Sequence, residues 1–127
     1  MMGLDSMRTS AVIRPLNSLL FISDSQGGEV PEWVKDKLIL STPSCISVAC
    51  YPEPDGPTTV KLGPLWQVER DERAIFSGYL DTPNRAVIVL TVDKQVVVEA
   101  KVPNLRTQIR IWVNHPRWPD EVIIGVE

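Results

Sequence analysis

One histidine, His115, and two cysteines, Cys45 and Cys50, are all the imidazole and thiol that these 127 residues provide. A zinc or iron site needs several nitrogen, sulfur or carboxylate donors at short, compatible spacing, so no metal and no cofactor is expected. The two thiols stand five positions apart in CISVAC. On an extended strand their Cα atoms would lie about 16 Å apart at ~3.3 Å per residue, beyond the roughly 7 Å reach of a disulfide. They read as buried free thiols pointing to opposite faces. No apolar run approaches the roughly 20 residues of a spanning helix, which argues against a membrane segment. The start, MMGLDSMRTSAVIRPLNS, lacks the positive charge, apolar centre and cleavage site of a secretory signal. The expected address is the cytoplasm.

Dense positive charge is also missing. Thirteen lysines and arginines face sixteen acids for a net charge of −3, with no basic cluster. Binding to a phosphate backbone needs such a cluster, so nucleic acid is not the expected partner. Glycine patterns that cradle phosphates are absent too. Nucleophilic catalysis would need His115 beside Ser44, Ser47 or a cysteine, oriented by Asp24 or Asp120. No Gly-x-Ser-x-Gly elbow or cysteine-nucleophile context accompanies them. The acids Glu69, Asp71 and Glu72 cluster, and Asp120 adjoins Glu121, but neighbours in a strand or loop do not face each other across a substrate. The PEPDG stretch does not match a calcium loop. No catalytic residue is assigned, and the chain is not expected to be an enzyme.

What is abundant is proline. Eleven are spread from Pro15 to Pro119 and break the chain into short apolar stretches. That is well above the usual share of roughly 5%, and it disfavours long helices. Between them the apolar residues alternate with period two and many are β-branched, the pattern of a strand with one buried face. Strands are expected around SLLFIS, CISVACY, TTVKL, AIFSGYL, RAVIVLTV, QVVVEAKV, TQIRIWV and EVIIGVE. Turn residues separate them: Gly27-Gly28, Asp55-Gly56 and Asp93-Lys94. One short helical segment is expected at VPEWVKDKL, where Pro31 suits the first helical position and Val30, Val34 and Leu38 share a face.

The fold expected is mostly β: an antiparallel two-sheet sandwich of about seven to eight strands with one short helical segment. Its hairpin-length connections favour antiparallel pairing. A chain of this length buries about two thirds of its unfolded surface, enough for one core. Residues 18–127 are read as that single domain and residues 1–17, weakly patterned, as a flexible N-terminal arm.

Four tryptophans remain, Trp33, Trp66, Trp112 and Trp118. Packing in the core is one role open to them, and a contact surface is the other. Trp112 alternates onto the same strand face as Gln108 and Arg110, while Trp118 sits in a polar connection between Pro116 and Pro119. Both are expected to be partly exposed. Arg110, Trp112, His115, Arg117 and Trp118 are therefore the candidate binding residues. WVNHPRWPDEV reads as the link between the last two strands. An alternative use of Trp112, Trp118 and Arg110 is a concave platform for a small ligand or carbohydrate.

PEWVKD with its tryptophan, a strand like CISVACY, the late KVPNLRTQIRIWVNHP and the closing EVIIGV follow in an order that resembles the competence protein J family. These are small β-rich bacterial proteins that include an inhibitor of a DNA-entry nuclease. The likeness covers about the last hundred residues and lies in element order, and no functional residue of the family is carried over. It implies a non-catalytic protein-binding sandwich, an inhibitor or immunity-type partner of a nuclease or toxin. The expected partner is another protein, and open sheet edges also allow a homodimer.

Overall fold

A computed structural model describes residues 9–127. Ten strands run through them, in chain order β1 (Ser10–Ile13), β2 (Leu19–Asp24), β3 (Ile39–Thr42), β4 (Cys45–Ala49), β5 (Thr58–Pro64), β6 (Phe76–Asp81), β7 (Ala86–Leu90), β8 (Val96–Lys101), β9 (Arg106–Val113) and β10 (Glu121–Val126). A single α-helical turn, α1 (Leu65–Val68), follows β5. The strands form two five-stranded sheets, ordered β1-β5-β10-β9-β6 and β3-β4-β2-β7-β8. All eight expected strands are present.

The structure adds β1 and β3 to the expected set. Each has four residues, pairs on one side only and is only half buried. Strands this short carry too few alternations to stand out from loop, and the Arg14-Pro15 step that follows β1 reinforces that reading. Within the segment expected as an N-terminal arm, Ser10–Ile13 pairs with β5; residues 1–8 of that segment lie outside the described residues. Pairing is antiparallel except between β5 and β10, which run parallel from Glu121 opposite Thr59 to Val126 opposite Pro64. The first sheet is therefore mixed and the second antiparallel throughout; the parallel pair requires the long excursion through β6 to β9 between its two strands.

Alternation explains the core. Leu20 and Ile22 of β2, Ile46 and Val48 of β4, and Val87 and Val89 of β7 project from one sheet. They meet Val60, Leu62, Leu80, Ile109, Ile111, Val122 and Ile124 from the other. Each such side chain contributes roughly 1.5–3 kcal/mol on burial. Cys50 joins this core, while Cys45 lies buried on the opposite face; both are free thiols, as their spacing predicts. Burial raises Cys45 to about 11 and Cys50 to about 12.

A second, smaller apolar cluster lies on the outer face of the first sheet. Trp112 stands opposite Ile123 in the β9–β10 pair, and Leu65 of α1 packs on both. Gly125 lets α1 come this close, since a Cβ there would sit 2.8 Å from Leu65 Cδ1. The helical turn at α1 stands in place of the one expected at Val30–Leu38. That segment is irregular, and Asp36 adopts φ 66°, outside the helical region. Its stripe has no core to cover: Val30 is 56% and Val34 45% exposed, and so short a helix does not form without tertiary packing.

Candidate protein-binding groove

Two loops meet beside the second sheet. The first runs from Gly28 to Leu38 and is tethered at both ends. Near its start, Glu29 N–H donates to Ser44 Oγ at 2.8 Å and Thr42 Oγ1 donates to the Glu29 carbonyl at 2.6 Å. At its end, Ala49 N–H donates to the Leu38 carbonyl at 2.9 Å. A Cβ at Gly28 would lie 2.0 Å from the Ser44 carbonyl oxygen, so only glycine lets the loop enter here. Trp33 and Val34 form its middle, and Trp33 is 68% exposed.

The second loop is the β9–β10 connection, residues 114–120, placed where the sequence pattern puts it. Asn114 closes its base: Oδ1 accepts from the Asp120 and Glu121 N–H groups, both at 3.1 Å, and Nδ2 donates to Asp120 Oδ1. His115 Nδ1 accepts from Arg117 N–H at 3.1 Å and Trp118 N–H at 2.9 Å. Through these two bonds the imidazole shapes the loop tip. Pro119 is buried and its carbonyl accepts from Tyr51 N–H at 2.7 Å, which ties the loop to the β4–β5 link.

Between the loops lies a groove of about 350 Å³, lined by Trp33, Val34 and Leu38 on one side and Pro116, Arg117 and Trp118 on the other. Arg117 Nη2 reaches Asp36 Oδ1 across it at 3.9 Å. Both ends of that pair are well exposed, so it adds less than about 1 kcal/mol. A second concavity of about 480 Å³, lined by Phe21, Ile88 and Leu90, sits on the outer face of the second sheet.

Among the five candidate residues, Arg117 and Trp118 line the groove and His115 orders their backbone. Trp118 is 49% exposed, in line with its predicted loop position. Trp112 is not partly exposed as expected: only 4% of it is accessible, and its Nε1 donates to the Glu72 carbonyl at 2.9 Å. Alternation did place it on the outer face of β9, but α1 and the chain after it fold over that face. Arg110 is half-buried on the same face, opposite Gly125 and Ser77 of the flanking strands. The residue missed in sequence is Trp33. A signal for it existed, since Trp33 lies off the Val30, Val34, Leu38 stripe and a helix there would also have turned it outward. Among the described residues no group of three or more histidine, cysteine or acidic side chains is arranged to hold a metal ion.

Fold and groove together define a two-sheet β-sandwich with an open aromatic cleft formed by two tethered loops. Among solved structures it is similar to the crystal structure of ComJ, inhibitor of the DNA degrading activity of NucA, from Bacillus subtilis. The TM-score is 0.64, with 94% of this chain and 95% of that chain covered at 8% sequence identity. The resemblance to competence protein J in element order thus extends to the fold over 94% of the chain. No protein-family model matches the sequence, and no curated protein matches it.

Proposed function

We propose that this chain is a non-catalytic protein-binding sandwich that acts in the cytoplasm as an inhibitor or immunity-type partner of a nuclease or toxin. The observation that carries the reading is a likeness in fold, over nearly the entire chain, to a protein described as a nuclease inhibitor. The groove supports it independently, because exposed tryptophan beside arginine is the composition of an interface anchor. In this reading Trp118 and Arg117 contact the partner and His115 presents them. Trp112 and Arg110 serve at one remove, on the sheet face over which α1 and the chain after it fold.

The carbohydrate-platform alternative needs Trp112 to offer a ring face, and that ring is buried. The deciding experiment is inhibition of DNA degradation. Purified chain is titrated into plasmid-cleavage reactions with NucA and with nucleases from the organism that encodes the chain. Cleavage by one enzyme should fall in proportion to added protein and stop at a fixed molar ratio. Undiminished cleavage by every enzyme at large molar excess would reject the inhibitor reading.

A further inference from the structure

We infer that the groove between Trp33 and Trp118 receives an acidic segment of a partner protein, one that presents a large apolar side chain flanked by carboxylates. This rests on the protein-binding reading above and adds where the partner sits and what chemistry it offers.

The charge around the groove runs against that of the molecule. The whole chain carries a net −3. The groove lining holds Lys35, Lys37 and Arg117 against the single carboxylate of Asp36, three positive less one negative, or +2. Glu32 precedes Trp33 in the chain but does not line the groove. Lys35 and Lys37 have no ion-pair partner among the described residues, and Asp36 meets Arg117 only at 3.9 Å with both ends exposed. Lys35 and Lys37 are free to pair with carboxylates brought by a partner, where complementary charge sets orientation and association rate.

Inside that rim the surface is apolar and aromatic. Trp33 at 68%, Trp118 at 49% and Val34 at 45% exposure are large apolar side chains left in water by this fold. Both loops that carry them are tethered at their bases by hydrogen bonds from backbone N–H groups to backbone and side-chain oxygens, so little ordering is needed on binding. A small molecule is a poor fit, because sites of that kind enclose most of the ligand and aim fixed polar groups at it. Here the polar groups are flexible charges on the rim of an open cleft. Nucleic acid fits poorly too, since three cations around an apolar cradle do not form a phosphate track.

The test uses the full chain and a fluorescein-labelled synthetic peptide in which one phenylalanine and one leucine are flanked by aspartates and glutamates. A matched peptide carries lysines at the acidic positions. Fluorescence anisotropy should show saturable binding of the acidic peptide and none of the basic one. Trp33→Ala or Trp118→Ala should weaken it by about tenfold, and Lys35→Glu with Lys37→Glu should reverse the preference. Trp66→Ala, at an exposed tryptophan outside the groove, should change nothing. Thermal melts confirm that each variant is folded.

Equal binding of both peptides, or indifference to the groove substitutions, would overturn the inference. Displacement of the acidic peptide by a single-stranded oligonucleotide would do so as well, as would a light-scattering dimer dissolved by Trp118→Ala. Nuclease inhibition that survives all the groove variants would reject this docking site and leave the inhibitor reading standing. Acidic-peptide binding without inhibition of any nuclease would do the reverse.

Discussion

Asp24 is the polar residue on which the end of the second sheet depends, and replacing it tests the structural reasoning most directly. Its side chain is 1% exposed at the end of β2. Oδ2 accepts from Gln26 N–H at 3.0 Å and from Asn84 Nδ2 at 2.6 Å, while Oδ1 accepts from Asn84 N–H at 2.8 Å. The carboxylate thus joins the turn after β2 to the β6–β7 connection, sixty residues away. Burial pushes its pKa up, but the hydrogen bonds from Gln26, Asn84 and Ala86 outweigh that and hold it below the ordinary 3.8. Hydrogen bonds to a charged acceptor contribute roughly 1.5–3 kcal/mol each. Their simple sum overstates the loss, because Gln26 and Asn84 are exposed and water can replace part of it. Asp24→Ala should therefore cost about 2–4 kcal/mol at about pH 7, a fall in Tm of roughly 8–15 °C for a chain of this length. Folding favours the ionised form, so the stabilisation is complete above the unfolded pKa and is lost as pH falls through the folded one. Urea unfolding of the parent and of Asp24→Asn should show the gap between them narrowing from about pH 7 to about pH 3. A parent and Asp24→Ala within about 0.5 kcal/mol of each other, or a gap unchanged by pH, would refute the reasoning.

The two late tryptophans should separate sharply. Trp112→Ala empties the cluster under α1 and should cost about 3–5 kcal/mol in urea unfolding, whereas Trp118→Ala should stay within about 0.5 kcal/mol. Equal costs would contradict the burial assigned to them. Thr58 Oγ1 is buried without a hydrogen-bond partner among the described residues. Thr58→Val keeps the shape and removes the orphaned hydroxyl, so it should raise stability by about 1 kcal/mol in the same assay; a loss would show that the hydroxyl is satisfied. Because burial raises both thiols, to about 11 at Cys45 and about 12 at Cys50, they ionise in the unfolded chain before they do in the folded one. Stability should accordingly decline as pH rises past the ordinary thiol value of 9.0. Neither thiol should react with Ellman's reagent until denaturant is added, and rapid reaction of the native protein would place a thiol at the surface.

Period-two alternation determined most of the architecture by itself. It located eight strands and their inward residues, such as Ile109 and Ile111, because a side chain's face in a strand depends only on its neighbours. The connection at His115 was legible for the same local reason, since Pro116 and Pro119 cannot continue a ladder. Tertiary structure alone decided what sequence neighbours do not control. The parallel pairing of β5 with β10 joins segments some sixty residues apart. The burial of Trp112 depends on α1 folding over the outer face of β9, a coverage that alternation cannot signal. Residues 30–38 carry a helical stripe, yet they form an irregular loop, because a short helix needs an apolar surface to cover and this one faces water. That outcome leaves Trp33 across the groove from Trp118. The chain's local pattern supplied both aromatics, and only the meeting of two distant loops made them a site.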